Sequence, residues 1–197
     1  MPYHVGDSLA SVQRAAKDKK WGIDVNMHST SDGVAVAKHW GRPDHPGDDF
    51  THLWTGPEWG EGHLIHDPHP ALTMDKRPWS EVKRLTDSTG KQRISTIADF
   101  FAEGVKHGVR IMPEAKGPAA MEKPEFWEQL GAEADAVGHP RVMMTLPDIG
   151  SPVKRLTAAK GAGFQTAVLP RGTRPPSYDT RWKPVTDRVW GTAWGAA

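Results

Sequence analysis

The sequence contains no cysteine, and its 197 residues include only two tyrosines against nine tryptophans. The absence of cysteine excludes disulfide bonds, thiolate catalysis and zinc sites that are built from cysteine ligands. No apolar run approaches the roughly 20 residues of a transmembrane helix, so we expect no membrane span. The first residues lack the charged and apolar regions of a signal peptide. With no signal peptide we expect a cytoplasmic or phage-associated location, and the Ala, Gly, Arg and Trp usage suggests a GC-rich genome such as that of an actinobacterium or its phage.

Neither sign of charge is in excess, since the formal net charge is +1 with 25% charged and 37% hydrophobic residues. Without a basic run there is no electrostatic footprint for nucleic acid, and we expect no nucleic-acid partner. The proportions are those of an ordinary globular protein. The length suffices for a sizeable core, so we predict a single domain over residues 1–197.

The most informative stretch begins with an alternation of apolar and polar residues over 23–27, which is typical of a strand. Side chains two positions apart lie on the same face of a strand, so Asp24 and Asn26 point to the same side. An Asp-Gly pair at 32–33 is a strong turn signal. A second alternating segment follows and ends at His39. The pattern predicts a hairpin with two oxygen-bearing side chains on its first strand and a histidine at the end of the second.

A later strand pattern, over residues 109–117, carries Glu114 and Lys116 with one position between them. The period of a strand places both side chains on the same face. A carboxylate beside an ammonium group suits a metal ligand next to a phosphate contact, and it also suits an ion pair at the end of a strand. Taken alone, the two residues favour the ion pair; taken together with the Asp24 strand, they favour the site.

Strand patterns alternate with helix patterns along the chain, which predicts parallel βαβ units and an α/β fold. With candidate ligands at successive strand ends, the favoured architecture is a (β/α) barrel of the TIM type. Such a barrel takes about 250 residues and rarely fewer than about 200. We therefore expect a barrel that is shortened or incompletely closed. An open sheet edge needs a cover, so a homo-oligomer is one expectation.

An irregular insertion, rich in proline and glycine, occupies about residues 40–77. Structureless stretches of this length inside a domain are usually functional or disordered. Within it, His63, His66 and His69 are spaced by three residues, which on a helix would form a metal-binding face. Prolines between and after them prevent a regular helix. A zinc hydrolase built on these histidines is one hypothesis for the function, and two others are given below.

The hairpin motif resembles the signature of the glycerophosphodiester phosphodiesterases, a Glu-x-Asp strand, a Thr-x-Asp-Gly turn and a strand that ends in His-Asp. The segment Thr30-Ser31-Asp32-Gly33 corresponds to the turn, and His39 corresponds to the histidine. Asp24 occupies the position of the family's glutamate and Asn26 that of its aspartate. Trp40 replaces the aspartate after the histidine.

Three further segments extend the resemblance. His4-Val5-Gly6 is similar to the family's His-Arg-Gly at the end of its first strand. Glu114 and Lys116 match an Ile-Glu-Ile-Lys strand, and Trp190 resembles the tryptophan of a late Trp-Thr-Val-Asn strand. Up to Lys116 the motifs occur in the family's order, and beyond it the resemblance concerns the fold.

The resemblance implies a divalent cation, Mg²⁺ or Ca²⁺ rather than Zn²⁺, held by Asp24, Asn26 and Glu114. Hard cations prefer such oxygen ligands, although Asn26 supplies a neutral oxygen where the family has an anion. The resemblance also implies that His4 and His39 form the acid–base pair.

Lys116 and Trp190 would contact the substrate, which is implied to be a glycerophosphodiester of lipid metabolism or a related glycerol-phosphate polymer such as teichoic acid. The substituted ligands and the short chain leave an alternative open: a catalytically degenerate barrel that serves as a binding, structural or phage-virion protein.

Overall fold

The computed structural model describes residues 8–37, 54–55, 77–84, 86–87, 93–115, 119–145, 152–168 and 188–189. The helices are α1 (Leu9–Lys17), α2 (Trp79–Val82), α3 (Ile97–His107), α4 (Pro124–Ala136) and α5 (Pro152–Gly161), with a short 3-10 helix at Ala119–Glu122. The strands are β1 (Gly22–Ser29), β2 (Ala35–Ala37), β3 (Trp54–Thr55), β4 (Thr86–Asp87), β5 (Arg110–Ala115), β6 (Val142–Thr145), β7 (Gln165–Val168) and β8 (Arg188–Val189).

Six strands form one sheet in the order β2-β1-β5-β6-β7-β8. From β1 to β8 each neighbouring pair is parallel, and β2 runs antiparallel to β1. Helices α4 and α5 connect successive parallel strands, as βαβ units require. The predicted α/β architecture is confirmed, and across the described residues this sheet ends at β2 and β8 rather than closing. Strands β3 and β4 form a separate antiparallel pair.

The predicted hairpin is confirmed, since β2 pairs with β1 directly after the turn. Within the turn, the Thr30 hydroxyl donates to an Asp32 carboxylate oxygen over 2.6 Å and accepts from the Val34 N–H over 2.9 Å. Gly33 has a φ of 84°, a conformation that glycine adopts without steric cost. The turn thus forms from local hydrogen bonds and one glycine.

Helix α3 begins at a capping box and ends at a glycine. The Thr96 hydroxyl accepts from the Asp99 N–H over 3.0 Å, and an Asp99 carboxylate oxygen accepts from the Thr96 N–H over 2.9 Å. This reciprocal capping box supplies acceptors for backbone N–H groups that have no partner within the first turn of the helix. Gly108 ends the helix in the left-handed region, with a φ of 68°.

One face of the sheet, which we call the helix-side face, packs against the helices. Its strand residues include Val25, Met27, Ile111 and Met143, which join Phe100, Trp127 and Leu130 in the main core. The opposite face, which we call the inner face, carries Asp24, Asn26, His28, Met112, Glu114, Met144 and Ala167. Of these, Met112, Met144 and Ala167 form a second, smaller apolar cluster. The register places Asn26, Glu114, Met144 and Ala167 side by side across the sheet, so the polar residues lie on β1 and at Glu114, and the apolar residues lie on β5 to β7.

A buried histidine joins β5 to the end of α4. The Nε2 atom of His139 accepts from the Ile111 N–H over 3.0 Å, and its ring stacks on Phe101 with centroids 4.4 Å apart. Because Nε2 is the acceptor, the neutral ring carries its proton on Nδ1. Burial of the ring lowers the pKa of His139 to about 4; the Pro140 carbonyl opposes this shift and the charge of Arg110 adds to it.

None of the helices in the described ranges is both long and apolar enough to cross a lipid bilayer.

Candidate functional site

The candidate site lies on the inner face, toward the carboxyl ends of β1 and β5. The parallel register places Asn26 directly beside Glu114. Neighbouring strands lie about 4.8 Å apart, so the two side chains leave the sheet side by side. Asp24 is one step nearer the amino end and lies beside Met112. The two strands that carry the predicted metal ligands are thus neighbours in the sheet.

The three oxygen-bearing residues differ in their access to solvent. Glu114 is only 4% exposed, Asn26 is half-buried and Asp24 is exposed. A carboxylate removed from water is costly unless it is compensated, and such positions are concentrated at functional sites. Burial therefore separates Glu114 from an ordinary solvent-exposed ion pair at a strand end.

His28 extends the same row of side chains by one step toward the carboxyl end of β1. It is half-buried, and its Nδ1 atom lies 3.3 Å from the Ser29 carbonyl oxygen. We did not include His28 in the site predicted from sequence. The period of two that joins Asp24 to Asn26 also includes His28, and that signal was sufficient to find it.

The turn of the hairpin is hydrogen-bonded to the segment at residues 77–79, where the insertion ends. Both carboxylate oxygens of Asp32 accept from the Trp79 N–H, over 2.9 and 3.1 Å, at the first residue of α2. The Ser31 N–H donates to the Arg77 carbonyl over 2.9 Å. Partial burial raises the pKa of Asp32, but the hydrogen bonds from Thr30 and Trp79 outweigh it and leave the pKa below its usual value. Asp32 thus has a structural role at this point.

The remaining predicted site residues lie outside the described residues. They are His4, His39, Lys116 and Trp190, together with the alternative zinc ligands His63, His66 and His69. Their placement stays a prediction.

A divalent cation fits the chemistry of the donors on the inner face. Asp24, Asn26 and Glu114 offer only oxygen atoms, which Mg²⁺ and Ca²⁺ prefer. In the part of the chain with described coordinates, however, no three His, Asp or Glu side chains come close enough together to hold a metal. The proposed set does not count as such a cluster, because its donor between Asp24 and Glu114 is the amide of Asn26 rather than a carboxylate.

The fold was compared with solved structures. A phosphodiesterase from Oleispira antarctica superposes with a TM-score of 0.61 at 15% identity, over 92% of this chain and 70% of that one. A glycerophosphodiester phosphodiesterase from Parabacteroides distasonis gives a TM-score of 0.56 at 14% identity, over 92% and 68%. This chain has the fold of the glycerophosphodiester phosphodiesterases. A Silicibacter pomeroyi protein assigned to the glycerophosphoryl diester phosphodiesterases agrees, with a TM-score of 0.60 at 13% identity over 91% and 69%.

The likeness is one of structure rather than sequence. No protein-family model matches the chain, and no curated protein sequence matches it. The glycerophosphodiester phosphodiesterase fold confirms the predicted shortened or incompletely closed (β/α) barrel. Active sites of such barrels lie at the carboxyl ends of the strands, which is the half of the inner face that holds Asn26 and Glu114.

Proposed function

We propose that the protein is a metal-dependent hydrolase of phosphodiesters, acting on glycerophosphodiesters or on a related glycerol-phosphate polymer. The observation that carries this proposal is the pair Asn26 and Glu114, adjacent in register and half-buried or buried toward the carboxyl ends of a parallel sheet. The glycerophosphodiester phosphodiesterase fold supports it further. The Oleispira antarctica structure contains sn-glycerol 3-phosphate, described as that enzyme's product.

In this proposal, Asp24, Asn26 and Glu114 hold a Mg²⁺ or Ca²⁺ ion. When bound, the ion polarises the phosphodiester and offsets the negative charge that develops on its oxygens. Lys116 adds a second positive charge near the phosphate, and Trp190 contacts the organic part of the substrate. Because Asn26 is neutral, the site has one negative charge fewer than a set of three carboxylates, and we expect correspondingly weaker metal affinity.

His4 and His39 are proposed as the acid–base pair, since histidine gains and loses a proton near neutral pH. One of them removes the proton of the attacking hydroxyl group, which belongs to water or to the neighbouring glycerol. The other donates a proton to the alkoxide oxygen that leaves phosphorus. His28 lies on the same inner face as Asn26 and is available to position either the substrate or a catalytic group.

One observation favours a second function, that of a barrel which binds phosphodiesters without cleaving them. The described residues contain no cluster of three His, Asp or Glu side chains that would hold a metal, and a neutral amide stands where a carboxylate would complete the set. A phosphate ester can be bound by cations and hydrogen-bond donors without a metal.

A metal-dependence assay separates these functions. Hydrolysis of glycerophosphocholine and of bis(p-nitrophenyl) phosphate is measured after EDTA treatment, and again with Mg²⁺, Ca²⁺, Mn²⁺ or Zn²⁺. Turnover restored by Mg²⁺, Ca²⁺ or Mn²⁺ supports the proposed hydrolase. Turnover with Zn²⁺ alone would indicate a site at the histidines of the insertion instead. No turnover with any metal would favour the binding function.

A further inference from the structure

A cavity of about 480 Å³ opens at the amino ends of β5, β6 and β7 on the inner face, and its lining reaches Met144, the register neighbour of Glu114. Its apolar wall is formed by Met112, Met144 and Ala167 of three successive parallel strands. Volumes of about 300–1,000 Å³ are typical of sites for small molecules. The cavity is therefore large enough for a ligand, and it does not include Asp24, Asn26 or Glu114.

The rim of the cavity is aromatic and positively charged. Trp21 is 51% exposed, an unusual state for the largest apolar side chain. The guanidinium of Arg110 lies over the Trp21 ring, 5.9 Å from its centroid. Lys160 adds a second exposed cation, and no acidic side chain lines the cavity among the residues that the structure describes. The rim thus has positive charge beside an apolar interior.

The shortened fold gives a physical reason for the cavity. In a closed (β/α) barrel, inward side chains from all the strands fill the interior in layers. Here the sheet does not close across the described residues, and its inner face carries the apolar cluster of Met112, Met144 and Ala167 beside the cavity. Apolar side chains beside such a space gain free energy when an apolar group fills it.

We propose that this amino-end cavity binds a small amphipathic monoanion, namely a medium-length acyl chain that ends in an anionic group. The acyl chain packs against Met112, Met144 and Ala167. The anionic group lies at the rim, between Arg110 and Lys160, with Trp21 beside the first carbons of the chain. This site adjoins the proposed hydrolytic site, because Met144 is the register neighbour of Glu114, but it shares none of the proposed metal ligands and does not depend on hydrolysis.

Octanoate is a suitable probe, and the methyl groups of methionine report its position. Protein labelled with [methyl-¹³C]methionine is titrated with octanoate and followed by ¹H–¹³C correlation spectra, with signals assigned by single Met→Leu substitutions. We expect saturable shifts for Met112 and Met144. Met27 and Met121, which belong to the core on the helix side, are internal controls and should not move. Unchanged Met112 and Met144 signals would overturn the proposal.

The requirement for an anion is tested with 1-octanol and octylammonium, which keep the chain and change the head group. Each exposed cation is expected to contribute about threefold in affinity, so octanol should bind about tenfold more weakly than octanoate. The variants Arg110→Gln and Lys160→Gln should each lose about threefold, and Lys17→Gln, an exposed lysine outside the cavity, should lose nothing. Equal or tighter binding of octanol, or an equal loss in Lys17→Gln, would contradict the proposal.

A filling variant tests the location directly. Ala167→Leu adds a side chain inside the cavity and should abolish the octanoate-dependent shift of Met112. Unchanged Met27 and Met121 signals would show that this variant is folded. Retained octanoate binding in folded Ala167→Leu would overturn the proposal, and if the variant does not fold, the Arg110→Gln measurement decides.

Discussion

Acid should destabilise this protein through one buried histidine. The His139 ring must be neutral to accept the Ile111 N–H at Nε2, and its burial lowers its pKa to about 4 from 6.5. The unfolded chain therefore binds this proton more tightly than the folded protein does. The contribution of His139 to the free energy of unfolding is fully present above about pH 6.5. It is lost as the pH falls from about 6.5 to about 4.

The size of the effect follows from the two pKa values. A difference of about 2.5 units corresponds to about 3.4 kcal/mol when fully expressed, at 1.36 kcal/mol per unit. Between pH 8 and pH 5 most of the unfolded histidine becomes protonated while the folded one stays neutral. The expected loss over that interval is about 2 kcal/mol from His139 alone.

Urea unfolding at pH 8 and pH 5 measures this contribution by comparison of the wild type with His139→Gln. Glutamine can still offer an acceptor to the Ile111 N–H, but it does not titrate. The wild type should lose about 2 kcal/mol more than the variant over this interval. Equal losses in the two proteins would refute the assignment of a neutral, buried His139. His107→Gln, at an exposed ion pair on α3, is the matched control and should behave like the wild type.

Three further substitutions test the packing and the site. Gly104→Ala should destabilise by about 1–3 kcal/mol, because a Cβ there would lie 2.6 Å from a backbone oxygen just before β5. Asp32→Ala should cost about 0.5–2 kcal/mol, because it removes the carboxylate that accepts from the Trp79 N–H at the start of α2. Asn26→Asp should destabilise the metal-free protein, since a second carboxylate would stand beside Glu114, and should increase the rise in melting temperature that Mg²⁺ produces.

Two of these variants have a matched control, and Asn26→Asp is compared with the wild type. Gly161→Ala, where the new Cβ would meet no atom within 4 Å, should be neutral or slightly stabilising. Asp18→Ala removes only a surface ion pair with Arg14 and should change the free energy of unfolding by less than about 1 kcal/mol. Urea unfolding measures both pairs. Equal effects at Gly104 and Gly161 would contradict the close packing of α3, and an Asn26→Asp protein that Mg²⁺ stabilises no more than the wild type would contradict the oxygen-ligand site.

Local signals in the sequence predicted local structure well. The Asp-Gly turn and the alternation around Asp24 each depend on residues close together in the chain, and each is present in the structure. The shared face of Asp24 and Asn26 was predicted from the strand period. Only the resemblance to a family grouped Glu114 with them as a ligand, because strand order is not encoded locally.

Long-range contacts were not predictable in the same way. Asp32 caps α2 across 47 residues of chain, and His139 contacts Ile111 across 28 residues. Neither pairing leaves a periodic pattern in the sequence. The amino-end cavity was not predicted either, because its lining comes from three strands that are far apart in the sequence.

The most direct test of the account is the activity of Glu114→Gln, which keeps the shape of the buried side chain and removes its charge. Glycerophosphocholine hydrolysis in Mg²⁺ should fall by at least about 100-fold, while urea unfolding shows a folded protein. Glu128→Gln, at an exposed position of α4, should retain full activity. Undiminished hydrolysis by Glu114→Gln would contradict the central claim that Glu114 and Asn26 form the hydrolytic site.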